Sequence, residues 1–108
     1  MSKEIAPMLH TLRERAPLIH AITNPISITQ CANAVLALGA RPIMAEPPRE
    51  VEEITATAAA LLLNLGNITD VRMEAMERSA GAARKNGIPV VLDAVGVACS
   101  RMRRDYTC

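Results

Sequence analysis

The sequence predicts an α/β fold, a parallel sheet with helices on both faces running for about four strands, and three observations carry that expectation. Short apolar runs (PLIHAI, RPIMA, ALLLNLG and IPVVLDAVGV) are continuous rather than alternating, as strands covered on both sides are. Segments of helical period lie between them, which a parallel sheet needs to bring each new strand back in the same direction. Half of the residues are apolar and Tyr106 is the single aromatic, so the core is filled by Ala, Leu, Ile, Val and Met, small enough for helices to lie close on a sheet.

The elements follow in order. Pro7 suits the first turn of a helix made amphipathic by Leu9 and Leu12 beside Arg13, Glu14 and Arg15, and Pro17 stops it. PLIHAI reads as a buried strand ending at Thr23 and Asn24. From Ser27 to Leu38 the apolar positions Ile28, Cys31, Ala32, Val35 and Leu38 recur at helical spacing, and Gly39 stands where a C-cap glycine belongs. RPIMA is a short strand, EPPREVEEITATA a helix opened by proline and early carboxylates, and ALLLNLG a further strand. Thr69 caps a helix from Asp70 to about Asn86, with Val71, Ala75, Met76, Ala80 and Ala83 as its buried stripe and Gly87 beyond its end. IPVVLDAVGV supplies the last strand. After Val97 the run ACSRMRRDYTC loses all period, and its RMRR cluster reads as a solvated tail. A sheet that stops at a strand end leaves its newest edge and face uncovered, so residues 1–108 read as the N-terminal portion of a single larger α/β domain.

Twelve basic against eleven acidic residues leave a net charge of +1, which supplies no field to hold nucleic acid or an anionic membrane. Base stacking has no aromatic platform to use. No apolar stretch approaches the roughly 20 residues that span a bilayer, and charges occupy the N-terminus where a signal peptide is apolar, so a cytoplasmic location is expected. Cys31, Cys99 and Cys108 are odd in number and lack C-x-x-C spacing; they encode neither a disulfide framework nor a zinc site and read as buried or incidental thiols.

Open parallel sheets bind ligands outside the carboxyl ends of their strands. Four sets of residues fall there: Thr23 and Asn24, Met44 to Glu46, Asn64 to Asn67, and Asp93 to Gly96. An Asn after a strand ordinarily makes an Asx turn or a helix cap. Asp93 caps the following turn, or holds a hydrated magnesium ion or orients a hydroxyl. Gly66 and Gly96 admit close backbone approach to a ligand or a turn with positive φ. Met44 is an ordinary core residue or a soft wall for a small ring. His20, between Ile19 and Ala21, reads as a hydrogen-bonded core histidine rather than a base, and Cys31 as a packed, inert thiol. Neither a G-x-x-x-x-G-K loop nor a G-x-G-x-x-G fingerprint is present.

The segments HAITNPISITQCANAVLALGARPIMAEPPREVEEI, LLLNLGNIT and AMERSAGAARKNGIPVVLDAVGV, in that order from about Pro17 to Val97, resemble the N-terminal part of the hydroxyethylthiazole kinase family. The resemblance implies a ribokinase-like α/β fold and magnesium-dependent transfer of the γ-phosphoryl group of ATP to the hydroxyethyl arm of a methylthiazole. It also implies a homotrimer with thiazole sites at the subunit boundaries. Carried onto this chain, it places Asn24 and Met44 in the thiazole pocket, Gly66 in the facing loop, and Asp93 on magnesium, directly or through water. The family's ATP-binding loops and its catalytic residue fall beyond these 108 residues, so neither a catalytic nor an ATP-binding residue is expected here. Ala94 and Ala98 stand where the family has Pro and Gly, and the turn there is expected to differ in shape.

The leading expectation is therefore a hydroxyethylthiazole kinase of thiamine biosynthesis and salvage, inactive over these residues alone. The alternative is a non-catalytic α/β binding or assembly module derived from it.

Overall fold

The structure, a computed structural model, describes residues 2–96, 98 and 100–107. The elements are α1 (Ser2–Arg15), β1 (Leu18–Ile22), α2 (Ile28–Leu38), β2 (Arg41–Ile43), α3 (Val51–Thr57), β3 (Ala60–Asn64), α4 (Asp70–Lys85), β4 (Val90–Asp93) and α5 (Arg101–Thr107). The strands form one sheet in the order β2-β1-β3-β4, and every neighbouring pair is parallel. The chain steps one way from β1 to β2 and the other way from β2 to β3. With right-handed crossovers, α2 therefore lies on one face, and α3 and α4 on the other.

The core is the face beneath α3 and α4. His20 and Ile22 of β1 stand in register with Leu61 and Leu63 of β3, and this row packs with Leu65 against Val51, Ala75, Met76 and Ala83. Cover thins toward β4. Across one row Ile22 is 0% exposed, Leu63 6% and its partner Leu92 42%; across the opposite face Ala21 is buried, Leu62 half-buried and Val91 64% exposed. The uncovered newest strand expected from the sequence is present.

Gly39 closes α2 at φ 101, and its N–H donates back to the Leu36 carbonyl; a side chain there would be strained and would also press on Arg13 of α1. Thr69 caps α4, its hydroxyl accepting from the Arg72 N–H at 3.2 Å.

Several expectations are corrected. Pro7 sits inside α1 rather than in its first turn, because the helix begins at Ser2; α1 is largely exposed, so water can take the one carbonyl that proline leaves unpaired. The prolines before α3 build a turn instead of opening the helix, with the Pro47 carbonyl accepting from the Glu50 and Val51 N–H groups. None of α2 is buried: Ile28, Cys31, Ala32 and Val35 are half-covered and Leu38 is exposed, because the three-residue β2 beneath is too narrow to cover the stripe. Cys31 is thus half-exposed rather than packed away; Cys99 and Cys108 lie outside the described residues. On α4 the buried side is Arg72, Ala75, Met76, Ser79 and Ala83, while Val71 is 58% exposed and Ala80 half-buried. The expected solvated tail is α5, anchored where the Tyr106 hydroxyl donates to the Met73 carbonyl at 2.7 Å.

Candidate functional site

All four strands run in one direction, so their carboxyl ends share one edge of the sheet. Along that rim Met44 follows β2, Asn24 follows β1, Gly66 follows β3, and Asp93 is the last residue of β4.

Asn24 divides its side chain between two tasks. Its Oδ1 accepts from the backbone N–H groups of Ile26 at 2.9 Å and Ser27 at 3.1 Å, an Asx turn that leads the chain into α2. Its Nδ2 lies over Gly66, where a built Cβ would stand only 2.7 Å away. That Cβ would also stand 2.9 Å from Asn64 Oδ1, so the crossing of these loops needs glycine for space. Asn64 continues the row: its Oδ1 accepts from the Gly66 N–H at 2.6 Å, and its Nδ2 donates to Asp93 Oδ2 at 3.3 Å. Asn24, Gly66, Asn64 and Asp93 thus form one connected row across β1, β3 and β4.

Met44 stands apart at the far side of β1 and is half-buried. The backbone beside it is pinned, because His20 Nε2–H donates to the Ala45 carbonyl at 2.9 Å while Nδ1 accepts from the Thr55 hydroxyl at 2.7 Å. A carbonyl can only accept, which fixes the proton on Nε2. Burial holds the His20 pKa below the usual imidazole value, against the opposing pull of the Ala45 carbonyl and Glu50. His20 is a hydrogen-bonded core histidine.

Asp93 is exposed, with one carboxylate oxygen engaged by Asn64. Among the described residues, no three of His, Cys, Asp and Glu gather as a metal cage. One exposed carboxylate leaves a divalent cation to take the rest of its oxygens from water or a ligand.

Two residues that the sequence reading passed over support this row. The sequence puts Asn64 at the rim without a role, and the structure makes it the link between Gly66 and Asp93. Arg72 was not singled out at all. Its Nη1 donates to the Thr23 carbonyl at 2.8 Å, and its Nη2 donates to the carbonyls of Gly66, at 2.6 Å, and Asn67. A signal existed: counted from Arg72, positions four, seven and eleven along the helix hold Met76, Ser79 and Ala83.

Two surface hollows lie away from the rim. The groove between α3 and α4 is lined by Glu52, Glu77, Arg78 and Lys85, and the hollow between the turn after β2 and α4 by Glu46, Pro48, Val71 and Glu74. Met44, Asn24, Gly66 and Asp93 line neither.

These features define a parallel α/β protein whose strands end along one rim of polar turns and a half-buried methionine. Its sequence names the family. Residues 9–108 match the model of the hydroxyethylthiazole kinase family, and the chain belongs to that family. It is 56% identical over 96 residues to hydroxyethylthiazole kinase 2 of Clostridium botulinum strain Hall, covering 89% of this chain and 36% of that protein. It is 53% identical over 90 residues to the hydroxyethylthiazole kinase of Finegoldia magna, covering 83% of this chain and 34% of that one. The solved structure of a hydroxyethylthiazole kinase protein from Pyrococcus horikoshii OT3 superposes with a TM-score of 0.92 at 38% identity, over 97% of this chain and 41% of that one. The chain therefore spans a little over a third of the length of the curated relatives it matches.

Proposed function

We propose that this chain is the thiazole-side portion of a hydroxyethylthiazole kinase, with residues 1–108 forming the N-terminal part of a single ribokinase-like domain. In a protein of full family length, the reaction moves the γ-phosphoryl group of ATP to the hydroxyl of 4-methyl-5-(2-hydroxyethyl)thiazole. Met44 supplies a polarizable wall for the ring. Asn24 has its oxygen committed to the turn into α2, so it faces a ligand with N–H donors alone, which suits an acceptor such as the ring nitrogen. Gly66 keeps the facing loop close. Asp93 holds hydrated magnesium, whose charge, when it is bound, neutralises the phosphates during transfer. The connected row from Asn24 to Asp93 is the observation that carries this reading.

A homotrimer with its thiazole sites at subunit boundaries belongs to the same reading, as does a cytoplasmic location. No helix among the described residues is long and apolar enough to cross a membrane.

ADP release with ATP, magnesium and the thiazole alcohol tests the assignment. The 108-residue chain is expected to release none, and turnover at an ordinary kinase rate would overturn its assignment as a partial site. In a protein of full family length, Asp93→Asn is expected to depress kcat about a hundredfold and leave thiazole affinity nearly unchanged; a loss confined to affinity would remove Asp93 from magnesium.

The exposure of β4 favours one second reading, a non-catalytic module that pairs with another chain. Calorimetric titration separates the two: weak saturable heat with the thiazole supports the kinase site, and its absence supports the module.

A further inference from the structure

Arg72 is an unusual residue to bury. Its residue surface is 2% exposed, and a guanidinium is charged at any working pH. Among the described residues none of its hydrogen-bond partners is a carboxylate, and its Nε has no partner. Burying a charge without a counter-charge is costly, and an apolar side chain of similar size would fill this space more cheaply. What the guanidinium does that an apolar residue cannot is hold three carbonyls from two separate loops. Thr23 opens the loop after β1 that carries Asn24; Gly66 and Asn67 belong to the loop after β3 that crosses it.

The peptide plane turns this grip into control of the rim. Holding the Thr23 carbonyl orients the whole peptide group leading into Asn24, and holding the Gly66 carbonyl orients the one leaving Gly66. Asn67 sits in the left-handed region at φ 48, and the carbonyls of Gly66 and Asn67 both turn toward Nη2. Without a cation between them, two converging carbonyl dipoles repel. A planar fork reaches both loops at once; a lysine ammonium offers the charge without the fork.

We propose that Arg72 is a positioning residue of this rim, locking the Asn24 loop to the Gly66 loop so that the two move as one unit. The coupling itself stands on the geometry, and its effect on ligand binding rests on the function proposed above.

Residue-resolved amide exchange on the unmodified 108-residue chain tests the coupling without any variant. Amides of Asn24, Ile26 and Ser27 and of residues 65–68 are expected to share one opening equilibrium and one denaturant dependence. Separate openings for the two loops would overturn the proposal. Arg72→Lys is expected to speed exchange in both loops together by about tenfold, with Leu61 to Leu63 changing only as global stability changes; acceleration in one loop alone, or in neither, would also overturn it. Titration with the thiazole alcohol then reads the ligand effect: Arg72→Lys is expected to weaken binding about tenfold, and Arg72→Met by more. Loosened loops with unchanged affinity would overturn the ligand effect and leave the coupling standing. If the unmodified chain binds no thiazole, the proposed function fails, and the exchange data still decide the coupling.

Discussion

A methyl group added at residue 66 would meet Asn24 Nδ2 and Asn64 Oδ1. Both are side-chain atoms that can swing away, so the fold should survive while the row breaks. Gly66→Ala is expected to weaken thiazole binding about tenfold and to shift the melting temperature by no more than about 4 °C; calorimetry and a thermal melt check both halves. His20 carries a pH prediction. Its folded pKa lies below the 6.5 of the unfolded residue, because burial penalises the charged ring. Below pH 6.5 the unfolded chain therefore binds more protons than the folded one, and stability falls on acidification until the folded value is passed. In denaturant titrations His20→Gln should lack this fall; equal pH profiles would contradict the account. Asn24, Gly66 and Asp93 were legible at the rim because turn residues after an apolar run need no distant information. Arg72 was not, since its burial depends on the Thr23 carbonyl 49 residues away in the chain, and a charged residue on a helix otherwise reads as solvent-facing.

At the scale of the element, helix existence and phase came apart. Thr69, the helical period and Gly87 located α4 well, yet its buried side includes Arg72 and Ser79 and leaves Val71 out, because a wheel of alanines and arginines gives apolar periodicity little to discriminate. In α2 the opposite limit applies: period and cap are clear, but how deep the stripe sinks depends on the width of the strand beneath. α5 has no period to read, and Tyr106 is its tie to α4. Its phenol, donating to the Met73 carbonyl, is pushed up to about 12 by burial first and by Glu77 second. The single tyrosine, in a chain without tryptophan, should titrate in near-ultraviolet absorbance with a midpoint near that value. Deprotonation is easier in the unfolded chain, so stability should decline from pH 10.0 upward. A midpoint at 10.0 would mean that α5 does not dock.

For the molecule as a whole, parallel strands, intervening helices and the uncovered last strand were all legible from continuous apolar runs. The order β2-β1-β3-β4 was not, because run lengths and periods say nothing about which strand sits beside which. That order bears on birth as well as on architecture. The central strand β1 leaves the ribosome before both of its neighbours, and the flank that β3 will occupy stays open until residues 60–64 emerge. Trigger-factor-like chaperones that clasp apolar nascent segments should hold β1 through this interval and release it as β3 appears. Stalled chains of increasing length, probed with a protease, are expected to gain resistance in one step at β3, and gradual protection from β2 onward would speak against it.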